Sequence, residues 1–193
     1  MAIRDITLLG DPVLRRRAEP VTEVDDSVRE LAQDMMDTMV EAPGIGLAAP
    51  QVGVSLRMIT LNLEEASGAI INPVVARSSR DEESDLEACL SIPDVQGLVR
   101  RPSSVVVKGL DMDGRKVVLK AEGLLARCLQ HEIDHLDGAV FLDRVTDPKV
   151  KVFHRVEDPD ADEETYESEL VTIAEVHRRF EELHAAKTAA PGA

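Results

Sequence analysis

Between Gly123 and Gly138 two patterns are superimposed, and together they restrict the possible folds more than any other part of the sequence. Leu124, Leu125, Cys128, Leu129, Ile133 and Leu136 recur at helical spacing, which predicts an amphipathic helix closed by Asp137-Gly138, with the glycine free to take a left-handed cap. Inside that helix stands His131-Glu132-Ile133-Asp134-His135. Helical residues four apart differ by about 40° in direction and lie about 6 Å apart along the axis, so both imidazoles can reach one divalent ion. Glu132 is turned about 100° from His131 and can hydrogen-bond a water held by that ion. This is the geometry of metal-assisted hydrolysis.

Two imidazoles rarely make a complete site, because a catalytic ion of this type usually has three protein ligands and one position for water. Spacing leaves the third open. Cys128 lies three residues before His131 on roughly the same face. Cys89 sits in the loop-like segment Glu87-Ala88-Cys89-Leu90-Ser91, and downstream carboxylates such as Glu157 are further candidates. A histidine ligand of the longer HExxHxxGxxH protease pattern is excluded, since its final position here is Phe141. Local reasoning favours Cys89: strand and turn signals can carry its loop beside the helix, whereas Cys128 shares the apolar face and suits a small core residue.

The rest of the chain must supply a scaffold for this helix. From Asp25, the residues Val28, Leu31, Ala32, Met35, Met36, Met39 and Val40 keep helical spacing until Ala42-Pro43-Gly44 stops them. Met58 to Leu63, Ala69 to Ile71, Leu98 to Val99, Val105 to Leu110 and Lys116 to Leu119 predict strands, with a hairpin turn at Asp113-Gly114. Residues 81 to 87 hold five acidic side chains and read as an exposed loop. Helices flanking central strands predict an α+β domain. Aromatic residues are only 2% of the chain, so aliphatic side chains must fill its core. Residues 157 to 169, with eight acidic residues and no basic one, read as a solvated linker, and Leu170, Ile173, Ala174, His177, Phe180 and His184 predict a terminal amphipathic helix.

Charge narrows the possible partners. With 22 basic and 37 acidic residues the net charge is -15, which repels phosphate backbones and acidic membrane surfaces, so neither nucleic acid nor membrane is expected to bind directly. No window approaches the roughly 20 apolar residues of a membrane span. Arg4 and Asp5 interrupt the only apolar stretch at the start, and two cysteines cannot form a disulfide framework. A cytoplasmic protein is the expectation.

A second patch, Gly44-Ile45-Gly46-Leu47-Ala48-Ala49-Pro50-Gln51-Val52-Gly53, combines small residues that let a backbone approach a ligand with an amide able to bond an oxyanion. Taken alone the patch is a weak signal and reads first as a plain connection between helix and strand. Gly44 to Gly53, Glu87 to Ser91 and His131 to Gly138 together resemble, in order and separation, the three signature motifs of the peptide deformylase family. The resemblance covers roughly residues 1 to 150, including Asp11-Pro12-Val13-Leu14-Arg15 and Phe141-Leu142-Asp143-Arg144.

That resemblance implies an α+β fold in which antiparallel sheets surround a central helix carrying the HExxH motif. It divides the chain into a catalytic domain, 1–150, and an appendage, 151–193, made of the acidic linker and the amphipathic helix. It makes Cys89, His131 and His135 the ligands of one divalent ion, Fe(II) physiologically with Zn(II) or Ni(II) as alternatives, and Glu132 the general acid/base. Gln51 and the backbone N–H of Leu90 would receive the oxyanion. Ile45, Gly46, Leu124 and Cys128 would line the substrate groove, and Glu87 with Arg101 would brace the ligand loop. The implied reaction is hydrolysis of the N-formyl group from N-formylmethionyl peptides, nascent chains at the ribosome, with release of formate.

Two features depart from the family's pattern. Ala88 stands where the second motif normally has glycine, so its methyl would crowd the peptide or strain the loop if that position needs positive φ. The terminal segment is acidic, so a docking role for a basic C-terminal helix is not carried over. Competing expectations are a metallo-endopeptidase or other amidase built on the same helix pattern, and a catalytically weakened family member that binds peptide.

Overall fold

The computed structural model describes residues 2–156 and 165–189. Among these, three helices and nine strands alternate along the chain. Helix α1, Asp26–Glu41, starts at Asp25, whose carboxylate accepts from the Val28 N–H at 2.9 Å. Its Leu31, Ala32, Met35 and Met39 are buried against Leu47, Met58 and Ile71.

Strands β1 (Gly46–Ala48), β2 (Met58–Leu63), β3 (Ala66–Ser78), β6 (Ser104–Leu110) and β7 (Lys116–Glu122) form a five-stranded antiparallel sheet in the order β1-β2-β3-β6-β7. Strands β4 (Glu82–Cys89), β5 (Ile92–Pro102), β8 (Lys149–Val156) and β9 (Thr165–Thr172) form a second antiparallel sheet in the order β4-β5-β8-β9. Helix α2, Gly123–Leu136, carries the His131–His135 string and contacts both sheets. Its Leu125, Ala126, Leu129, Ile133 and Leu136 pack on Ala48, Ile59, Leu61, Ile70, Val105 and Val107 of the larger sheet. On the smaller sheet, Cys89, Ile92, Val95 and Val99 join Phe141, Leu142, Val150, Val152 and Val171 in a second core, which Val176 and Phe180 of helix α3 (Ile173–Ala189) complete. The mixed α+β architecture expected from the sequence is present.

Two stretches differ from the sequence reading. The acidic segment at 81 to 87 is not a loop: from Glu82 onward it belongs to β4, the edge strand of its sheet, with Glu82 to Leu86 all exposed. Acidic side chains on an outer strand keep another chain from pairing with it, so their density signals an edge as readily as a loop. The acidic run read as a linker contributes Thr165 to Glu169 to β9, while its residues 157–164 lie outside the described residues. The division at 150/151 falls inside β8. Among the described residues no helix is long and apolar enough to cross a membrane.

Candidate metal centre

Helix α2 presents His131 and His135 on one face, and the β4–β5 connection brings Cys89 to them. One ligating atom from each of the three buried residues lies within 4.8 Å of the other two. The Cys89 Sγ is 3.2 Å from His135 Nε2. Cys128 points elsewhere, its Sγ 3.7 Å from the Ile45 carbonyl oxygen, and burial raises its thiol pKa further, with the charge of Glu132 adding to the effect. The structure therefore groups Cys89, not Cys128, with the two imidazoles.

The surroundings suit a cation. His131 Nδ1 lies 2.9 Å from Glu87 Oε2, an arrangement in which the ring donates to the carboxylate and leaves Nε2 for a metal. Burial lowers His135 well below the ordinary imidazole range, helped by His131, and a neutral ring is the ligating form. For His131 burial acts in the same direction, but hydrogen bonds with Cys89 and Glu87 outweigh it. Among the described residues the buried side-chain atoms without a hydrogen-bond partner are Glu132 Oε2 and His135 Nδ1, both in this cluster. A thiolate and two imidazoles are donors that bind Fe(II), Zn(II) or Ni(II). Burial above all pushes the Glu132 carboxyl up to about 7, where a group can both take and return a proton near neutrality.

Gln51 sits in the 3-10 turn Ala49–Val52 directly after β1, and Ala48 N–H donates to its Oε1 at 2.8 Å. This fixes the amide so that Nε2 faces Cys89 Sγ at 3.4 Å and Ser91 Oγ at 3.3 Å. Leu90 lies half-buried in the β4–β5 turn. The two glycines before Gln51 have a steric explanation. A Cβ on Gly44 would stand 2.9 Å from Leu90 Cδ1, and one on Gly46 would stand 2.6 Å from Glu132 Oε1 and 2.7 Å from Cys128 Sγ. Ala88 occupies a register shift between the pairs Glu87↔Gly97 and Cys89↔Ile92, and it is not among the residues with positive φ. Its methyl imposes no left-handed strain; it is exposed and lines the groove.

The brace is larger than the sequence suggested. Glu87 Oε1 accepts from Arg101 Nε at 2.6 Å and from Arg127 Nη1 at 2.8 Å, and Oε2 accepts from Arg101 Nη2 at 2.9 Å. Burial alone would raise the Glu87 pKa, but the bonds from Arg101 and His131 hold it well below the usual carboxylate range. Arg127, overlooked in the sequence, also donates to the carbonyls of Val99 and Glu83, so one guanidinium ties α2 to both β4 and β5. Asp134 accepts from Arg101 at 2.8 Å and from Arg144 at 2.9 Å. Phe141, where the longer protease pattern has histidine, instead stacks on His131 with ring centroids 6.3 Å apart. The contacts of Arg127 carry no motif spacing and are visible only in three dimensions.

The N-terminal arm joins the three motif segments through backbone hydrogen bonds. Thr7 N–H donates to Gln51 O at 2.8 Å, Leu9 N–H to Ser91 O at 2.9 Å, and Ala18 N–H to Leu136 O at 2.8 Å. In front of the cluster opens a groove of about 740 Å³, lined by Ile45, Gly46, Leu86, Leu124, Cys128 and Glu132 among others.

The sequence model of the family described as polypeptide deformylase matches residues 3–151. The chain belongs to this family. A peptide deformylase of Natranaerobius thermophilus is 51% identical over 145 residues, covering 75% of this chain and 93% of that protein. Among solved family structures, one from Synechococcus elongatus in complex with actinonin matches at 48% identity and a TM-score of 0.73, over 75% of this chain and 79% of that one. A peptide deformylase from Legionella pneumophila matches at 35% identity and a TM-score of 0.75, covering 98% of this chain and 100% of that one. That last likeness extends well beyond the residues matched by the family model.

Proposed function

We propose that this chain is a metal-dependent amide hydrolase that removes the N-formyl group from the N-terminal formylmethionine of newly made polypeptides and releases formate. The observation that carries the reading is the convergence of Cys89, His131 and His135 beside a buried Glu132 whose Oε2 has no partner, at the head of an open groove. In this reading α2 is the central element of the fold, residues 1–150 carry the reacting groups, and the residues after 150 complete the smaller sheet and the groove wall.

Cys89, His131 and His135 would hold one divalent ion, with Fe(II) the physiological choice and Zn(II) or Ni(II) compatible with the same donors. Such an ion, when bound, supplies Lewis-acid polarisation and lowers the pKa of water. Glu132 takes a proton from the attacking water at its carboxylate and later returns it to the leaving amine, work suited to a group titrating near 7. Gln51 Nε2 and the Leu90 backbone N–H donate to the formyl oxygen as charge builds on it. Ile45, Gly46, Leu124 and Cys128 enclose the first side chain. Glu87 and Arg101 keep His131 oriented through its Nδ1. In this reading the protein acts in the cytoplasm on chains emerging from the ribosome.

The test is steady-state release of formate from formyl-Met-Ala by metal-loaded protein prepared without oxygen. Formate appears with wild type and is lost in Glu132→Gln, which keeps its metal. Internal peptide fragments without formate would transfer the assignment to an endopeptidase, and peptide binding without turnover would indicate a family member that has lost catalysis.

A further inference from the structure

Phe153 and Tyr166 lie beyond residue 151, where the family match ends, yet both line the same groove as Cys89, His131 and Glu132. They arrive there on the β8–β9 hairpin. Val150 and Val152 of β8 are buried in the core, so strand alternation turns Phe153 to the opposite face. The register pairs Phe153 with Ser168 and Arg155 with Tyr166, which puts both rings on that face as diagonal neighbours, within reach of one another. Pairing of Val95 with Val152 and of Gln96 with Lys151 docks the hairpin on β5, and Asp94, Val95 and Gln96 continue the groove wall.

Neither ring belongs to the buried core. The chain has three Phe and one Tyr, and the remaining two, Phe141 and Phe180, are the ones buried in the core. Tyr166 is 51% exposed, and with Ile45, Leu86 and Leu124, which are 43%, 50% and 55% exposed, it makes a large apolar rim on one groove. Exposed apolar side chains gathered around one cleft mark a binding surface rather than scattered surface residues. Clefts of roughly 300–1,000 Å³ hold drug-sized ligands, so this groove has room for more than a formylmethionyl residue.

We propose that Phe153 and Tyr166 form a distal subsite for a large apolar side chain downstream of the formylmethionine, so that the β8–β9 hairpin sets substrate preference. This rests on the deformylase reading and extends it along the peptide. The occupant is the substrate itself, because the wall is continuous with the cleft that holds the reacting groups.

The experiment measures formate release from formyl-Met peptides in which a single Phe is moved through positions two to four of an Ala/Ser background, using wild type, Phe153→Leu, Phe153→Ala and Tyr166→Ala. Wild type should prefer Phe at one position by about tenfold in kcat/KM, mainly through KM, the scale expected for partial burial of one aromatic side chain. Phe153→Ala and Tyr166→Ala should each remove most of that preference, while Phe153→Leu, which retains apolar bulk, should keep part of it. Two results overturn the subsite and leave the activity standing: a wild-type scan with no preferred position, or variants that lower all peptides by one common factor. Absence of formate with every peptide would refute the deformylase reading and the subsite together.

Discussion

Glu87→Gln is the sharpest test of how His131, a proposed metal ligand, is held. The carboxylate accepts four hydrogen bonds at 2.6–2.9 Å, two from Arg101 and one each from Arg127 and His131. A glutamine has one acceptor oxygen, so whichever way the amide turns, its N–H₂ confronts two donors. Either Arg101 Nε and Arg127 Nη1 or Arg101 Nη2 and His131 Nδ1 lose their partner. The change also leaves Arg101 and Arg127, both buried, with less compensating negative charge. Removing one member of a buried ion pair costs about 3–5 kcal/mol. The amide recovers part of this through its oxygen, so the lower end, about 3 kcal/mol, is expected. For a domain of this size that corresponds to a fall in Tm of roughly 6–12 °C. Loss of the carboxylate behind a ligating histidine should also weaken metal retention by about 10–100-fold. Thermal melts of metal-free and zinc-loaded protein, with chelator competition at fixed pH, measure both. A variant that melts within about 2 °C of wild type and holds zinc equally well would refute the assignment of Glu87 as the group that orients His131.

Gly46→Ala drives a methyl into Glu132 Oε1 and Cys128 Sγ, and should cut kcat/KM about 100-fold by displacing the proposed acid/base, with overpacking costing about 1–3 kcal/mol; formate assays and melts check both. Cys89→Ser should strip metal during dialysis against a chelator while Cys128→Ser retains it, and the opposite order would reassign the third ligand. Asp34 accepts from Ala2 N–H at 2.8 Å and Arg4 Nη2 at 2.9 Å, and its carboxyl is held below the ordinary value by the Ala2 bond, which with Arg4 outweighs burial. A carboxyl lowered in this way stabilises the fold above its unfolded pKa and loses that contribution as pH falls through the folded one. The stability gap between wild type and Asp34→Asn in urea should therefore be full above the ordinary carboxylate range and close as pH falls below it; a gap independent of pH would contradict the ion pair.

Much of this centre could be read from the sequence because its elements are locally encoded. The periodicity that predicted a helix from Gly123 to Leu136 coincides with α2, and Met58 to Leu63 coincides with β2, since both are locally dense in apolar residues that the fold buries. Local reasoning could rank Cys89 over Cys128 but not separate them, because ligation depends on where a β4–β5 turn lands, which is a tertiary fact. Strand β9 was hidden by charge: Glu167 and Glu169 sit on an edge strand whose outward side chains are free to be acidic. Arg127 was missed for a related reason. On a helical wheel it is simply a basic residue among apolar neighbours, and its burial is intelligible only once Glu87, Val99 and Glu83 converge on it.

The first eighteen residues grip the chain at Gln51, Ser91 and Leu136, three points far apart in the order of synthesis. The farthest of these anchors along the chain is at the end of α2, so the three backbone bonds are complete only once that helix has formed. A short strap thus fastens three walls of the proposed centre through its backbone. Clipping that strap would break all three backbone bonds at once, loosening three walls through a single cut.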